Sequence, residues 1–334
     1  MKKGAGAEGP GSLQEDRLSP AYKGRLLQAG RLFLAWLARS GVAGEQLWTD
    51  AALMNEVLIS YVQGLFNGSS PLSLAVHTVL WVQTVHRPFK GRLRAAWDSV
   101  QSWRMKAPVV SRTPMPETVL RGFIAYGVMA ALALEPSKAE LWWRFLVLLQ
   151  VGFHGLLRPK ELLGLRRRHL KLPGGEDPLM PQLAVVCVEE PKNRAYMGRL
   201  QSRLVRSPVA VAWLSWMSAG MTDDEPLWPH TAWRFRCCLA QASEFFGLSR
   251  MRLTAGSLRA GGATHLLEQG SPVSSIRFAG GWASEKSLAS YLQEAESASV
   301  LLQVTAAEAR RLKWALSTFA CLSRPPRRPF SALA

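Results

Sequence analysis

Apolar residues recur at helical spacing from Ala21 onward. In YKGRLLQAGRLFLAWLARSG, Leu26, Phe33, Leu34 and Leu37 fall on one stripe, and Gly41 offers a helix stop. A second helix is predicted from Ala51 to Phe66, closed by NGSSP. Ser70 as cap and Pro71 as first residue predict a third, reaching Thr84, and a fourth covers Gly91 to Trp103. No strand-like alternation interrupts this four-helix unit. The segment KAPVVSRTPMP follows at 106–116. Its prolines discourage helix, and Lys106 and Arg112 make it a basic linker. Helices resume over Glu117–Leu134 and Lys138–Gly155. LAVVCVEE at 183–190 is short, β-branched and bounded by Pro181 and Pro191, as a strand should be. The turn PKNRAYMG leads into RLQSRLVRSP, a returning strand, and helices fill most of 207–320. The chain is therefore expected to be mainly α with a small β-hairpin or sheet. The expected divisions are a loose N-terminus (1–19), a helical domain (20–105), a linker (106–116), a second domain (117–310) and a final helix end with a basic Pro/Arg tail (311–334).

Charge narrows the class of partner. The 334 residues carry a formal net charge of +17, which favours a polyanion such as nucleic acid. With 48% hydrophobic residues, the chain can bury a core in each of two domains. None of the four cysteines stands in a C-x-x-C pair, which argues against a zinc site or a disulfide framework. The first twenty residues lack the apolar core of a secretory signal. The most apolar stretch, Leu141 to Leu157, contains Arg144, Gln150 and His154 and reads as a buried helix rather than a membrane span.

Three separated segments hold the candidate chemistry. In GLLRPKELLGLRRRHL (155–170), Pro159 suits the first position of a helix. Arg158 then stands at its N-terminal end, able to offer a bidentate guanidinium to a phosphate, with Glu161 one turn on. Taken alone, this reads more readily as an amphipathic helix with a solvated arginine. In LTAGSLRAGGATHLLEQG (253–270), Ser257 can cap a helix carrying Arg259, and Gly270 can end it. Gly261, Gly262 and Ala263 permit close packing, and His265 reads as structural. In FAGGWASEKSLASYLQEA (278–295), Ser284 is a candidate cap for a helix on which Tyr291 shares a face with Leu288, Leu292 and Ala295. A lone tyrosine there would be an ordinary core residue. No dense carboxylate cluster of the two-metal kind is visible in the sequence.

Together, in this order and spacing, the segments resemble the three boxes of the tyrosine recombinase or phage-integrase family. The resemblance covers about residues 117–310. It implies a helical core-binding domain followed by a tyrosine-recombinase catalytic domain. It also implies strand cutting and rejoining through a covalent 3′-phosphotyrosine, with no metal and no nucleotide cofactor. Arg158 and Arg259 match the family's phosphate-clamping arginines, Trp282 its His/Trp position and Tyr291 its nucleophile. Glu161 would orient Arg158 or its neighbours. Lys192, on the predicted hairpin turn, matches the general-acid lysine; Arg194 and Arg199 are alternatives there and, with Lys106 and Arg112, candidate DNA contacts. One residue departs from the pattern: Gly256 stands where the family has a histidine. That removes a polar group from the phosphate site, and restoring a histidine is expected to speed cleavage.

The implied partner is double-stranded DNA, bound by a dimer or tetramer, and no membrane. The chain would lie with DNA in a nucleus or a nucleoid and would not be secreted. Integration of a transposable element is the expected setting. A degenerate DNA-binding relative and a type IB topoisomerase-like relaxing enzyme are the alternatives. Residues 299–320 could dock on a neighbouring protomer or fold back on their own domain.

Overall fold

The computed structural model describes residues 18–42, 44–108, 112–174, 182–189, 191, 198, 200–319, 324–326 and 330. The chain divides into two compact units, Met1–Val110 and Ser111–Ala334.

The first unit holds α1 (Pro20–Arg39), α2 (Ala51–Asn67), α3 (Leu72–Val85) and α4 (Arg94–Lys106). Ser19 caps α1 ahead of Pro20, and Asp50 caps α2 through the N–H groups of Ala52 and Leu53. The third helix starts at Leu72 with Pro71 as its cap residue, one position later than Ser70 and Pro71 suggested. Leu26, Phe33 and Leu37 enter the core, whereas Leu34 lies on the solvent side of the stripe. Gly30 is fixed by packing: the Trp81 indole occupies the space a side chain would need.

The second unit is built on α6 (Pro136–His154), which packs against α5 (Glu117–Leu132), α8 (Pro208–Ser218) and α10 (Ala255–Glu268). Its residues 142–153 are buried all round, as expected of an apolar helix with neighbours on every side. Buried Arg144 is satisfied by Glu140, Glu225 and the carbonyls of Pro226 and Leu227. No described helix is long and apolar enough to cross a membrane. Helices α7 (Pro159–Leu163), α9 (Ala232–Phe245), α11 (Val273–Gly280), α12 (Glu285–Ala289), α13 (Glu294–Leu302) and α14 (Ala306–Phe319) complete the helical layer.

An antiparallel three-stranded sheet, ordered β1 (Leu170–Lys171), β2 (Ala184–Glu189) and β3 (Leu200–Val205), lies beside them. β1 is too short for any sequence pattern to announce it. The register pairs Val186 with Arg203 and Val188 with Gln201, so Gln201 and Arg203 share the buried face of β2's valines. Leu200 and Leu204 face outward, 71% and 41% exposed. An apolar-in arrangement would be the reverse. Such an inversion marks a strand held in register by something other than hydrophobic burial.

The C-terminal helix α14 folds back on α5, with Leu312 against Gly122. Glu308 secures its first turn. It accepts Thr305 N–H at 2.8 Å and pairs both oxygens with Arg250 at 2.7 and 2.8 Å. These bonds hold its carboxyl down at about 2, with Arg250 the larger cause. A depressed folded value contributes stability above the ordinary carboxyl range, lost as pH falls from about 4.5 towards 2. Glu308→Gln is therefore expected to lower the thermal midpoint at neutral pH. In melts across pH, the gap to the native chain should close below pH 3, and a constant gap would assign its origin to packing instead.

Candidate active site

Backbone geometry brings the three boxes together. Helix α6 is capped at Gly155, and Leu156 then adopts a left-handed φ of 51°. That conformation costs a leucine on the order of 1 kcal/mol. It turns the Leu156 carbonyl onto Arg259 Nη1 while the side chain stays buried beside Trp282 and Ala263. Two residues on, Arg158 caps α7. Its N–H donates to Glu161 Oε2 at 3.0 Å, and its Nη1 pairs with Oε1 at 2.6 Å. Glu161 thus contacts both the backbone N–H and the guanidinium of Arg158.

Arg259 lies on α10, 1% exposed. The helix is capped at Thr254 rather than Ser257; Ser257 Oγ instead accepts Thr254 N–H at 3.0 Å. Gly262 lets the helix press against the Phe153 carbonyl, and Gly261 against Met115. The Arg259 guanidinium donates to the carbonyls of Leu156 and Gly280 and stacks over the Trp282 indole, 3.8 Å from its centroid. No carboxylate pairs with it among the described residues. Burial first, and the nearby Arg158 second, push its pKa down.

The pair Gly280–Gly281 seats Trp282. Gly280 leaves room for the indole on the backbone, and Gly281, at φ 65°, admits Arg203. The Tyr291 ring meets Trp282 edge-on at 5.2 Å, with the Arg259 guanidinium 5.5 Å from the same ring. Tyr291 is not on a continuous helix with Leu292 and Ala295, as the spacing suggested. α12 stops at Ala289, and Tyr291 sits in the turn before α13. Ser287 and Ser290 hydroxyls bond back to backbone carbonyls, and Thr264 Oγ1 donates to Tyr291 O while accepting Gln293 N–H. These local bonds compete with helix propagation.

Arg203 joins the group without having been singled out. It is 3% exposed, and its Nη2 donates to Gln201 Oε1 at 2.9 Å. Burial lowers its pKa; Glu161 opposes the shift and Arg158 adds to it. Three guanidiniums thus gather around one carboxylate. Arg203 Nε, Arg259 Nε and Trp282 Nε1 are buried without a hydrogen-bond partner among the described residues. Orphaned donors in a surplus of positive charge are a design for an oxyanion. Half-buried His265 packs near the Phe153 ring and stays out of the group. Lys106 lies in the first unit, exposed at the end of α4. Lys192, Arg194, Tyr196 and Arg199 lie outside the described residues. Among the described residues no cluster could hold a metal ion.

No family model matches the sequence, and no curated protein matches it. Solved structures do. The chain is similar to XerH site-specific recombinase bound to palindromic difH substrate in a post-cleavage complex, at 17% identity. That match covers 76% of this chain and 72% of the other, with a TM-score of 0.44. The pre-cleavage complex of XerH with difH gives 16%, 76%, 70% and 0.43 in the same order, and XerA recombinase gives 14%, 92%, 99% and 0.37. Its structural neighbours are recombinases.

The buried charge makes a separate test of Arg203. A buried guanidinium with no ion pair of its own costs stability that a bound anion would return. Arg203→Met is expected to leave the thermal midpoint of the free protein unchanged or higher. A variant melting well below the native chain would make Arg203 a structural group.

Proposed function

We propose that the chain is a DNA strand transferase of the tyrosine-recombinase class, acting in recombination or integration of a mobile element. The observation that carries this reading is the set of unpartnered buried donors: Arg259 Nε and Trp282 Nε1 beside Tyr291, and Arg203 Nε, whose guanidinium lies against Gly281. Together with Arg158, they suit a phosphodiester whose charge grows during attack. Tyrosine is a weak nucleophile near neutral pH and needs such an activated phosphorus.

In this reading the Tyr291 oxygen forms a bond to phosphorus and the bond to the 5′ oxygen breaks. The phenolic proton leaves to solvent, and Lys192 gives a proton to the departing 5′ oxygen. The 3′-phosphotyrosyl ester preserves the bond energy, so a 5′ hydroxyl can reverse the step without nucleotide hydrolysis. The surplus of arginine and lysine, +17 overall, supplies the phosphate contacts that hold the duplex.

The test is capture from a randomised library of nicked duplexes, whose cleaved strand cannot religate. Protein recovered under denaturing conditions should carry DNA on the peptide containing Tyr291. Duplex binding without any adduct would make the chain a DNA-binding relative instead, and absence of duplex binding would end the reading altogether.

A further inference from the structure

Position 256 is not a vacancy. It is the second residue of α10, one turn before Arg259. An ideal Cβ there would lie 2.9 Å from Cδ and 3.1 Å from Cζ of Arg112, and closer still to Nη1. The Arg112 side chain therefore lies on the bare backbone of Gly256. A histidine restored at 256 would displace it rather than fill a gap.

The segment 112–116 is held to α10 at a second point. Met115 N–H donates to Ser257 O at 3.0 Å, and the Met115 backbone rests on Gly261, where no Cβ fits. Pro114, Met115 and Pro116 are buried, and the prolines keep this stretch extended. Arg112 is thus anchored at its root. The residue is exposed, and its guanidinium makes no hydrogen bond or ion pair among the described residues. It lies over the first turn of α10, the positive end of a helix, where a cation is disfavoured. Arg259 lies one turn away on the same helix, itself without a carboxylate. An anion arriving at such a place can be shared between the unpaired guanidinium and the helix N–H groups.

We propose that Arg112 is a further phosphate ligand of the site centred on Arg259, and that residue 256 is glycine to admit it. The inference rests on the DNA reading above and deepens it. It replaces a polar group carried by α10 with one delivered from the preceding segment.

Two variants separate this from general surface charge. Arg112→Ala removes the cation; Gly256→Ala changes no charge and only pushes the guanidinium aside. For each, and for the double variant, duplex affinity is measured against salt concentration. Loss of one phosphate contact should reduce the slope of log affinity against log salt by about 0.9. Gly256→Ala should match Arg112→Ala, and the double variant should be no worse than either. Where the native chain forms adducts, adduct formation should fall about tenfold to a hundredfold in all three. The slope judges Arg112 even if the native chain cuts nothing, so the two readings fail separately. An unchanged slope in Gly256→Ala, or losses that add in the double variant, would overturn the inference. Thermal melts confirm that each variant is folded.

Discussion

Replacing Tyr291 by phenylalanine is expected to abolish covalent protein–DNA adducts while leaving duplex affinity within about twofold. The ring remains, so its edge contact with Trp282 at 5.2 Å and its place beside the Arg259 guanidinium persist. The backbone turn also persists, because Thr264 holds it through the Tyr291 carbonyl and Gln293 N–H, not through the phenol. The Tyr291 hydroxyl has no hydrogen-bond partner among the described residues, so its removal breaks no network that the fold needs. In the proposed chemistry only the attacking oxygen is lost. The measurement is adduct yield on a nicked duplex under denaturing conditions, paired with equilibrium binding to the intact duplex. Adducts at the native level would reassign the nucleophile, with Tyr196 next to be tested. A large drop in binding as well would mean that the phenol holds DNA rather than cutting it.

How much of this was legible in the sequence depends on the kind of signal. Some helix starts followed from caps and prolines: Arg158 before Pro159 and Ser284 before Glu285 both stand where the sequence puts a helix start. Arg158, Glu161, Arg259, Trp282 and Tyr291 could be named because each lies in a local motif. Arg203 could not. Its burial depends on the pairing of β3 with β2, a long-range register that places an arginine opposite Val186 and turns two leucines outward. Pattern reasoning favours the opposite face, and the register with β2, not the spacing of apolar residues, decides which side chains are buried. Arg112 was legible as a basic residue but not as a neighbour of Gly256. Only the folded path of 112–116 along α10 relates the two. The break in the helix before Tyr291 escaped for a different reason. Serine side chains bonding to nearby carbonyls leave no trace in apolar spacing.

Arg259→Lys is the second large effect, and it distinguishes fork geometry from charge. The native guanidinium spends Nη1 on the Leu156 carbonyl and Nη2 on the Gly280 carbonyl, stacks on Trp282, and keeps Nε for a ligand. One planar group therefore ties α6's end to the loop before Trp282 while presenting a donor to the site. An ammonium has the charge but cannot hold both carbonyls, lie flat on an indole and aim a further N–H at once. Adduct formation by Arg259→Lys should fall roughly 100-fold or more, the scale of one lost transition-state donor. Duplex binding should change little, since the net charge is kept and other phosphates carry most of the affinity. The fold should also loosen, because one of the two carbonyls loses its partner, at a cost of about 1–3 kcal/mol. Arg259→Met separates these consequences further. It leaves both carbonyls bare and removes a buried charge, so its stability reflects the carbonyls alone. Cleavage by Arg259→Lys within a few-fold of the native rate, at unchanged affinity, would mean that positive charge suffices at this position. The phosphate would then be held by Arg158, Arg203 and Trp282 without the fork.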